Sequence, residues 1–312
     1  MIDNAKFIIN NYSNKEFELL TERLDIICPI DKDKVSFNLH KLRVTYFANS
    51  SQLHIQNSLH CFYNATYGQL KNWVNYNDFN IADLQVVSTG WSEIIFERPT
   101  EDFKMSTRFE FGLNIELDQY SPFEVIERYQ SYVTTSTSPF YTCPPKKGKP
   151  LQRMCSMSDY GLKLYDKSEQ AGISKQGLLR YEIVYTEIRK VRKMLKLPIN
   201  SIISLKDLTD LDNWNKLFYG MMDMYDAIKK IPLITEEFPL ADIYRVYGYC
   251  DKLMADDIKR NINPNTADKM RAASKLVYSK YDLSPTNYHQ VVRQKMINKY
   301  HSLTNVHQFQ GL

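Results

Sequence analysis

Residues 160–185, YGLKLYDKSEQAGISKQGLLRYEIVY, set one tyrosine between two lysines and, further on, an arginine two residues before a glutamate. On the two-residue period of a strand, Lys163, Tyr165 and Lys167 share one face, and Leu162 and Leu164 take the other. A polar turn from Ser168 to Gly177 leads to a second strand. There Arg180 and Glu182 share a face opposite Tyr181 and Ile183. Upstream, STRFEFGLNIELD reads as a third strand. It sets Arg108, Glu110, Asn114 and Glu116 on one side and Phe109, Phe111, Leu113, Ile115 and Leu117 on the other. Three such strands build a sheet with a charged platform.

A free phenol titrates at about 10 and is a weak nucleophile at neutral pH. Flanking ammonium groups favour the phenolate. Carboxylates oppose it unless they hold a divalent metal, which would neutralise them and polarise a phosphodiester. The combination suits phosphoryl transfer to tyrosine. The same alternation is also what any half-solvated strand shows. With 22 tyrosines in the chain, one more on a strand carries little weight, so an ordinary exposed sheet face stays open on the residues alone.

The elements around this platform follow from pattern. FIIN, LDIICPI, VSFNL, LRVTYF and LHIQNSLHCFY read as strands over residues 6–63. Asn75, Tyr76, Asn77 and Asp78, in the connection after them, either touch a nucleotide or make turns. Ile81 to Phe96 has helical spacing behind an Asn80 N-cap, and Ser121-Pro122 opens a helix through FEVIERYQSYV. TTSTSPFYTCPPKKGKP is a loop, and LQRMCSMSDY returns as a strand beside the Tyr165 strand. From about residue 205 the period turns helical. LDNWNKLFYGMMDMYDAIKK, FPLADIYRVYGYCDKLMADDIKR, NTADKMRAASKLVYSK and SPTNYHQVVRQKMINKYHS are the expected helices.

Length allows one large domain or two, and 43% apolar residues support a packed core. No apolar run is long enough for a membrane span, and MIDNAKFIIN does not read as a signal peptide. Five scattered cysteines without a CxxC pair suggest free thiols and a cytoplasmic protein. A net charge of +4 is too mild to establish nucleic-acid binding. The cations are concentrated, however, at Lys146, Lys147 and Lys149 and between Lys175 and Lys196. Such runs bind phosphates or form a solvated helix face.

SLHCFYN with NYNDF, STRFEFGLNIEL, YGLKLYDKSE, and GLLRYEIVY with a basic helix and LKLP behind it stand in that order. Together they resemble the replication initiators of filamentous phages, the gene-II-type nicking-joining proteins, and their plasmid-borne relatives. The resemblance covers about residues 40–200 and lies in the ordered set rather than in any one motif. It implies an α+β fold, an antiparallel sheet with packed helices in a Rep-like nicking domain over residues 1–200; the helical period puts an α-helical region after it, over 201–312. The resemblance implies Tyr165 as nucleophile with Lys167 and Arg180 as cationic partners, and Glu110 and Glu182 at the metal or phosphate site. Glu116 and His60 are further candidate ligands. Lys163, Lys146, Lys147, Arg189, Arg192, Lys193 and Asn77 are candidate DNA contacts.

The His-apolar-His triplet that marks the wider rolling-circle class is absent. His54 and His60, read on one strand, would stand about 20 Å apart, too far to share an ion. Carboxylate oxygens favour Mg²⁺ or Mn²⁺. The expected activity is nicking and rejoining of one strand at a replication origin through a 5′-phosphotyrosyl intermediate. Expected partners are origin DNA (double-stranded or hairpin), its single-stranded product, and a host polymerase and helicase, with no membrane. A relaxase or transposase would use the same chemistry. A non-catalytic DNA-binding replication factor, with Tyr165 structural, and a phage structural protein are the readings from other classes.

Overall fold

Apolar-polar alternation draws about a third of the first 230 residues into strands, and the long one from Lys104 lies at the centre of the main sheet. The structure, a computed structural model, describes residues 2–27, 33–68, 75–118, 121–143, 151–173, 177–230, 239, 241, 242, 245, 264–280 and 288–305. The strands are β1 (Ile2–Asn10), β2 (Lys34–Leu39), β3 (Leu42–Phe47), β4 (Gln52–Ser58), β5 (Lys104–Glu116), β6 (Tyr129–Val133), β7 (Thr137–Pro139), β8 (Tyr141–Cys143), β9 (Gln152–Ser156), β10 (Tyr160–Asp166), β11 (Leu178–Tyr185) and β12 (Ile228–Lys230). The helices are α1 (Asn14–Arg23), α2 (Leu59–Thr66), α3 (Ile81–Thr89), α4 (Pro122–Ile126), α5 (Lys167–Ala171), α6 (Ile188–Leu195), α7 (Leu205–Leu208), α8 (Leu211–Asp226), α9 (Pro264–Lys280) and α10 (Tyr288–Thr304).

Among the described residues the main sheet has nine strands in the order β2-β3-β4-β1-β5-β11-β10-β9-β8, and its pairings are antiparallel. A small sheet joins β12, β6 and β7. The fold is α+β, with a large antiparallel sheet, packed helices and a helical C-terminal region. No helix among the described residues is long and apolar enough to cross a membrane.

The apolar side of β5 is buried under the later helices. Trp214 of α8 meets Phe111 edge-on with ring centroids 6.1 Å apart, and α10 packs along β5. Phe218 of α8 stacks on Tyr300 of α10 at 3.9 Å. Each such ring removes roughly 150–250 Å² from water, so these contacts dominate the attachment of the helical layer. The other side of β5 carries Glu110 and Asn114. Register fixes their neighbours: Glu182 lies opposite Gly112, Arg180 opposite Asn114, Lys163 opposite Glu182, and Tyr165 opposite Arg180.

Several expected elements differ. Residues 11–23, read as part of a strand-rich segment, hold α1. Ser13 and Glu16 form a reciprocal capping box, and Phe17 and Leu20 are buried at helical spacing. Residues 24–27 of the expected strand LDIICPI form a turn and coil, and the rest of it lies outside the described residues. The strand through LHIQNSLHCFY ends at Ser58, which N-caps α2, so His54 and His60 stand on different elements. The helix after Ser121 stops at Ile126, because Tyr129 to Val133 pair with β12 and β7 instead. The Tyr165 strand ends at Asp166, so Lys167, expected on that strand's face, opens α5 instead, and the turn expected from Ser168 begins inside that helix. The stretch 81–96 is helical, but its second half widens into a π turn at Gly90–Ile95. Lys146 and Lys147, most of the helix expected at 238–260 and the Ser284-Pro285 start signal lie outside the described residues.

Gly112 lies where a side chain would collide with the site face. An added Cβ would come within 2.7 Å of both Glu182 Cγ and the Tyr181 carbonyl oxygen, and 3.2 Å from Arg180 Cζ. Backbone at that distance cannot yield cheaply, so Gly112→Ala is expected to lower unfolding stability by about 1–3 kcal/mol in a urea titration.

Candidate metal centre

Four adjacent strands, β1, β5, β11 and β10, each bring an ionisable side chain to one place. Asp3, Glu110 and Glu182 are all buried, and each offers a carboxylate oxygen within 4.8 Å of the other two. They line an open cleft of about 330 Å³ with Asn4, Asn75, Lys163, Tyr165, Lys167 and Gln170. Burying three like charges is unfavourable unless cations balance them. Here Arg180, Lys163 and Lys167 do so.

Arg180 has no exposed surface, and its guanidinium lies beneath the carboxylates. Its Nε donates to Glu182 Oε1 at 2.8 Å, one Nη to Asn114 Oδ1 at 3.1 Å, and the other lies 3.6 Å from Asp3 Oδ2. Lys163 Nζ donates to Glu182 Oε2 at 3.0 Å. Lys167 Nζ donates to Asn75 Oδ1 and Gln170 Oε1, both at 2.7 Å, and Asn75 Nδ2 in turn donates to Asp3 Oδ2 at 2.7 Å. Ser58 Oγ donates to Asp3 Oδ1 at 2.5 Å while it also caps α2. Asn4 Nδ2 donates to Glu110 Oε2, and Arg108 donates twice to Glu110 Oε1, at 2.9 and 3.2 Å.

The ionisation states follow. Burial would raise the Glu182 carboxyl, but Arg180 and Lys163 overcome it and hold it at about 2. Burial, then the charge of Glu182, raises Glu110. Burial and then Arg180 pull the Lys167 ammonium down to about 8. A raised carboxyl beside a charged one marks a place where a further cation would be favoured, and three oxygen donors suit Mg²⁺ or Mn²⁺. The residues therefore fit a divalent ion.

The Tyr165 hydroxyl donates to Glu182 Oε1 at 3.0 Å, and its ring is only 2% exposed. The expectation that flanking lysines favour the phenolate is corrected. Burial and then Glu182 raise the hydroxyl well above its ordinary value of 10.0. The lysines act on the ring instead of the oxygen: Lys163 Nζ lies 4.5 Å and Lys167 Nζ 5.7 Å from the ring centroid.

Other candidate residues are dispersed. Glu116 is exposed at the end of β5 and lines a separate cleft with Tyr76, Asn77 and Lys299. His60 does not join the carboxylate group. It is fully buried on α2, stacks on Phe79, and shares Asn77 Oδ1 with Asn64. Asn77 thus has structural partners on its side-chain oxygen and also lines that separate cleft. Arg189 pairs with Asp159, Arg192 Nε donates to the Ser201 carbonyl, and Lys193 is exposed; none of them lines the cleft. Arg180 does not line it either, since Glu182 and Asp3 lie between it and the opening. Sequence reasoning passed over Asp3, Asn4 and Gln170. Asp3 has no local signal beyond its place in a strand, and it reaches the site only through the pairing of β1 with β5.

No protein-family model matches the chain, and no curated protein matches it. A solved structure of a rolling circle replication initiator protein from Geobacillus stearothermophilus is similar over 77% of this chain and 89% of its own. The identity is 10% and the TM-score 0.37, a likeness too loose to bear on activity.

Burial depresses His60 from 6.5 to about 4, so the folded protein holds it neutral. The unfolded chain takes up that proton below about 6.5, so stability falls with pH from there until His60 itself titrates at about 4. Between pH 7.5 and 5 the loss from this residue is expected to be roughly 2 kcal/mol. His60→Gln should flatten that part of the profile in urea titrations at the two pH values.

Proposed function

We propose that the protein is a metal-dependent enzyme that cuts and rejoins one strand of DNA, acting as a rolling-circle replication initiator. One observation supports this most: the hydroxyl of Tyr165 is hydrogen-bonded to a carboxylate of a three-carboxylate cluster at an open cleft. On this reading Asp3, Glu110 and Glu182 hold Mg²⁺ or Mn²⁺. The bound ion would polarise the phosphodiester and neutralise charge building on it.

This chain's residues supply the rest. Glu182 Oε1 is in place to receive the Tyr165 proton. Its own proton affinity is low because Arg180 and Lys163 hold it charged, and a divalent ion on the same carboxylate would lower it further, so the proton passes on to solvent through the open cleft. Tyr165 Oη then bonds to phosphorus, the bond from phosphorus to O3′ breaks, and O3′ takes up a proton from solvent. The products are a 5′-phosphotyrosyl end and a free 3′-OH, and rejoining is the reverse. Lys163 and Lys167 line the cleft and would lend their charge to a phosphate bound in it. Arg180 acts through Glu182 and Asp3 and is a positioning residue. The proposed partners are origin DNA, its single-stranded product, and the host polymerase and helicase that use the new 3′-OH.

The burial of Tyr165 and the rise in its pKa favour a second reading. The same cluster could activate water and hydrolyse the strand, with Tyr165 holding Glu182 in place. Incubation of the full chain with supercoiled replicon DNA and Mn²⁺, followed by a denaturing gel with and without protease, separates the two. The tyrosine reading expects a protein-linked 5′ end that Tyr165→Phe abolishes. Free 5′-phosphate ends from both wild type and Tyr165→Phe would support water. Glu110→Gln should raise the Mn²⁺ concentration needed for half-maximal cleavage by more than about tenfold on either reading.

A further inference from the structure

Glu110 is the one carboxylate of the cluster whose cationic partner is largely in solvent. The Arg108 side chain is 69% exposed, whereas the Glu110 side chain it pairs with is 5% exposed. Its backbone is also unusual. Arg108 has φ +66°, in the left-handed region that few side chains adopt. It lies in a bulge: Ala5 of β1 pairs with Phe109 and Phe7 with Met105, so Lys6 alone faces residues 106–108. The bulge turns Thr107 and Arg108 out of the sheet beside Asn57, which has φ +101°.

Together they open a second groove of about 340 Å³, lined by Asn4, Lys6, Gln56, Asn57, Thr107 and Arg108. Asn4 lines both this groove and the carboxylate cleft, so the two adjoin. The second groove has no carboxylate in its lining and carries two cationic side chains, with amides and a hydroxyl between them. That set suits the phosphate oxygens of a nucleic-acid backbone and reads no base in particular.

We propose that Arg108 is an exchangeable counter-ion that links metal loading to strand binding. Without a divalent ion it holds Glu110. An ion on Glu110 would repel the guanidinium, which is then freed within the groove it already lines and with Lys6 binds the backbone of a single strand leading to the cleft. This rests on the metal reading of the Asp3–Glu110–Glu182 cluster, and it makes a separate statement: metal and strand each favour the other.

The test uses the full chain, Mn²⁺ alone, and a fluorescein-labelled twelve-nucleotide oligothymidylate. Mn²⁺ affinity is read by the electron paramagnetic resonance of free Mn²⁺, and oligonucleotide affinity by anisotropy with and without Mn²⁺. Arg108→Gln should bind Mn²⁺ about two- to fivefold more tightly, the scale of one partly exposed ion pair. It should also lose the gain in oligonucleotide affinity that Mn²⁺ gives the wild type. Arg108→Lys, which keeps the charge on the bulge, should retain that gain. Lys6→Ala should weaken the oligonucleotide and leave Mn²⁺ affinity unchanged. If Glu110→Gln abolishes Mn²⁺ binding but Arg108→Gln leaves it unchanged or weaker, the exchange is wrong and the metal reading stands. If wild type and Glu110→Gln bind Mn²⁺ alike, the metal reading itself is wrong.

Discussion

The ion pair between Arg180 and Glu182, neither exposed to solvent, is the constraint on which the site depends. Two charges so deep are tolerable only because each has further partners: Asn114 and Asp3 for the arginine, Lys163 and Tyr165 for the glutamate. Removing either partner would leave a buried charge uncompensated, commonly a loss of about 3–5 kcal/mol. The pair therefore fixes Glu182, and through it the Tyr165 hydroxyl. Gly112 makes the space in which the two side chains lie.

Around that pair the sheet and its coverings divide the work. Strand register supplies carboxylates and cations from β1, β5, β11 and β10. The segment 75–80 and the start of α5 then close over them, with Asn75 joining Asp3 to Lys167. Ser58 shows the same economy: one hydroxyl caps α2 and orients Asp3. The apolar reverse of β5 is taken up by α8 and α10, so that strand is held from both sides and its acidic face has little freedom to shift.

Much of the fold was legible because its signals are local. β5, β10 and β11 follow from two-residue alternation, and α8 and α10 from helical spacing. The capping pair Ser13 and Glu16 was equally readable, and α1 was missed because the β-branched and aromatic residues around it suggested strands. Lys163, Tyr165, Arg180, Glu110 and Glu182 were found on their strand faces. Asp3 was not, since a lone aspartate near a chain start looks like any other. Glu116 was misjudged for the complementary reason: it shares parity with Glu110, yet six residues along a strand carry it about 20 Å away.

By itself, then, the sequence determined which side chains face the same way along each strand, and that an acidic and a basic set would lie on one sheet. It also placed the 152–156 strand beside β10, as observed, but it could not set β1 beside β5 or β11 beside β5, because those pairings join segments about 60 or more residues apart. It could not set the state of Tyr165 either. Lysines nearby in sequence point to a phenolate, but the phenol's proton affinity depends on burial and on the carboxylate at its oxygen. Both arise only when distant segments close around it.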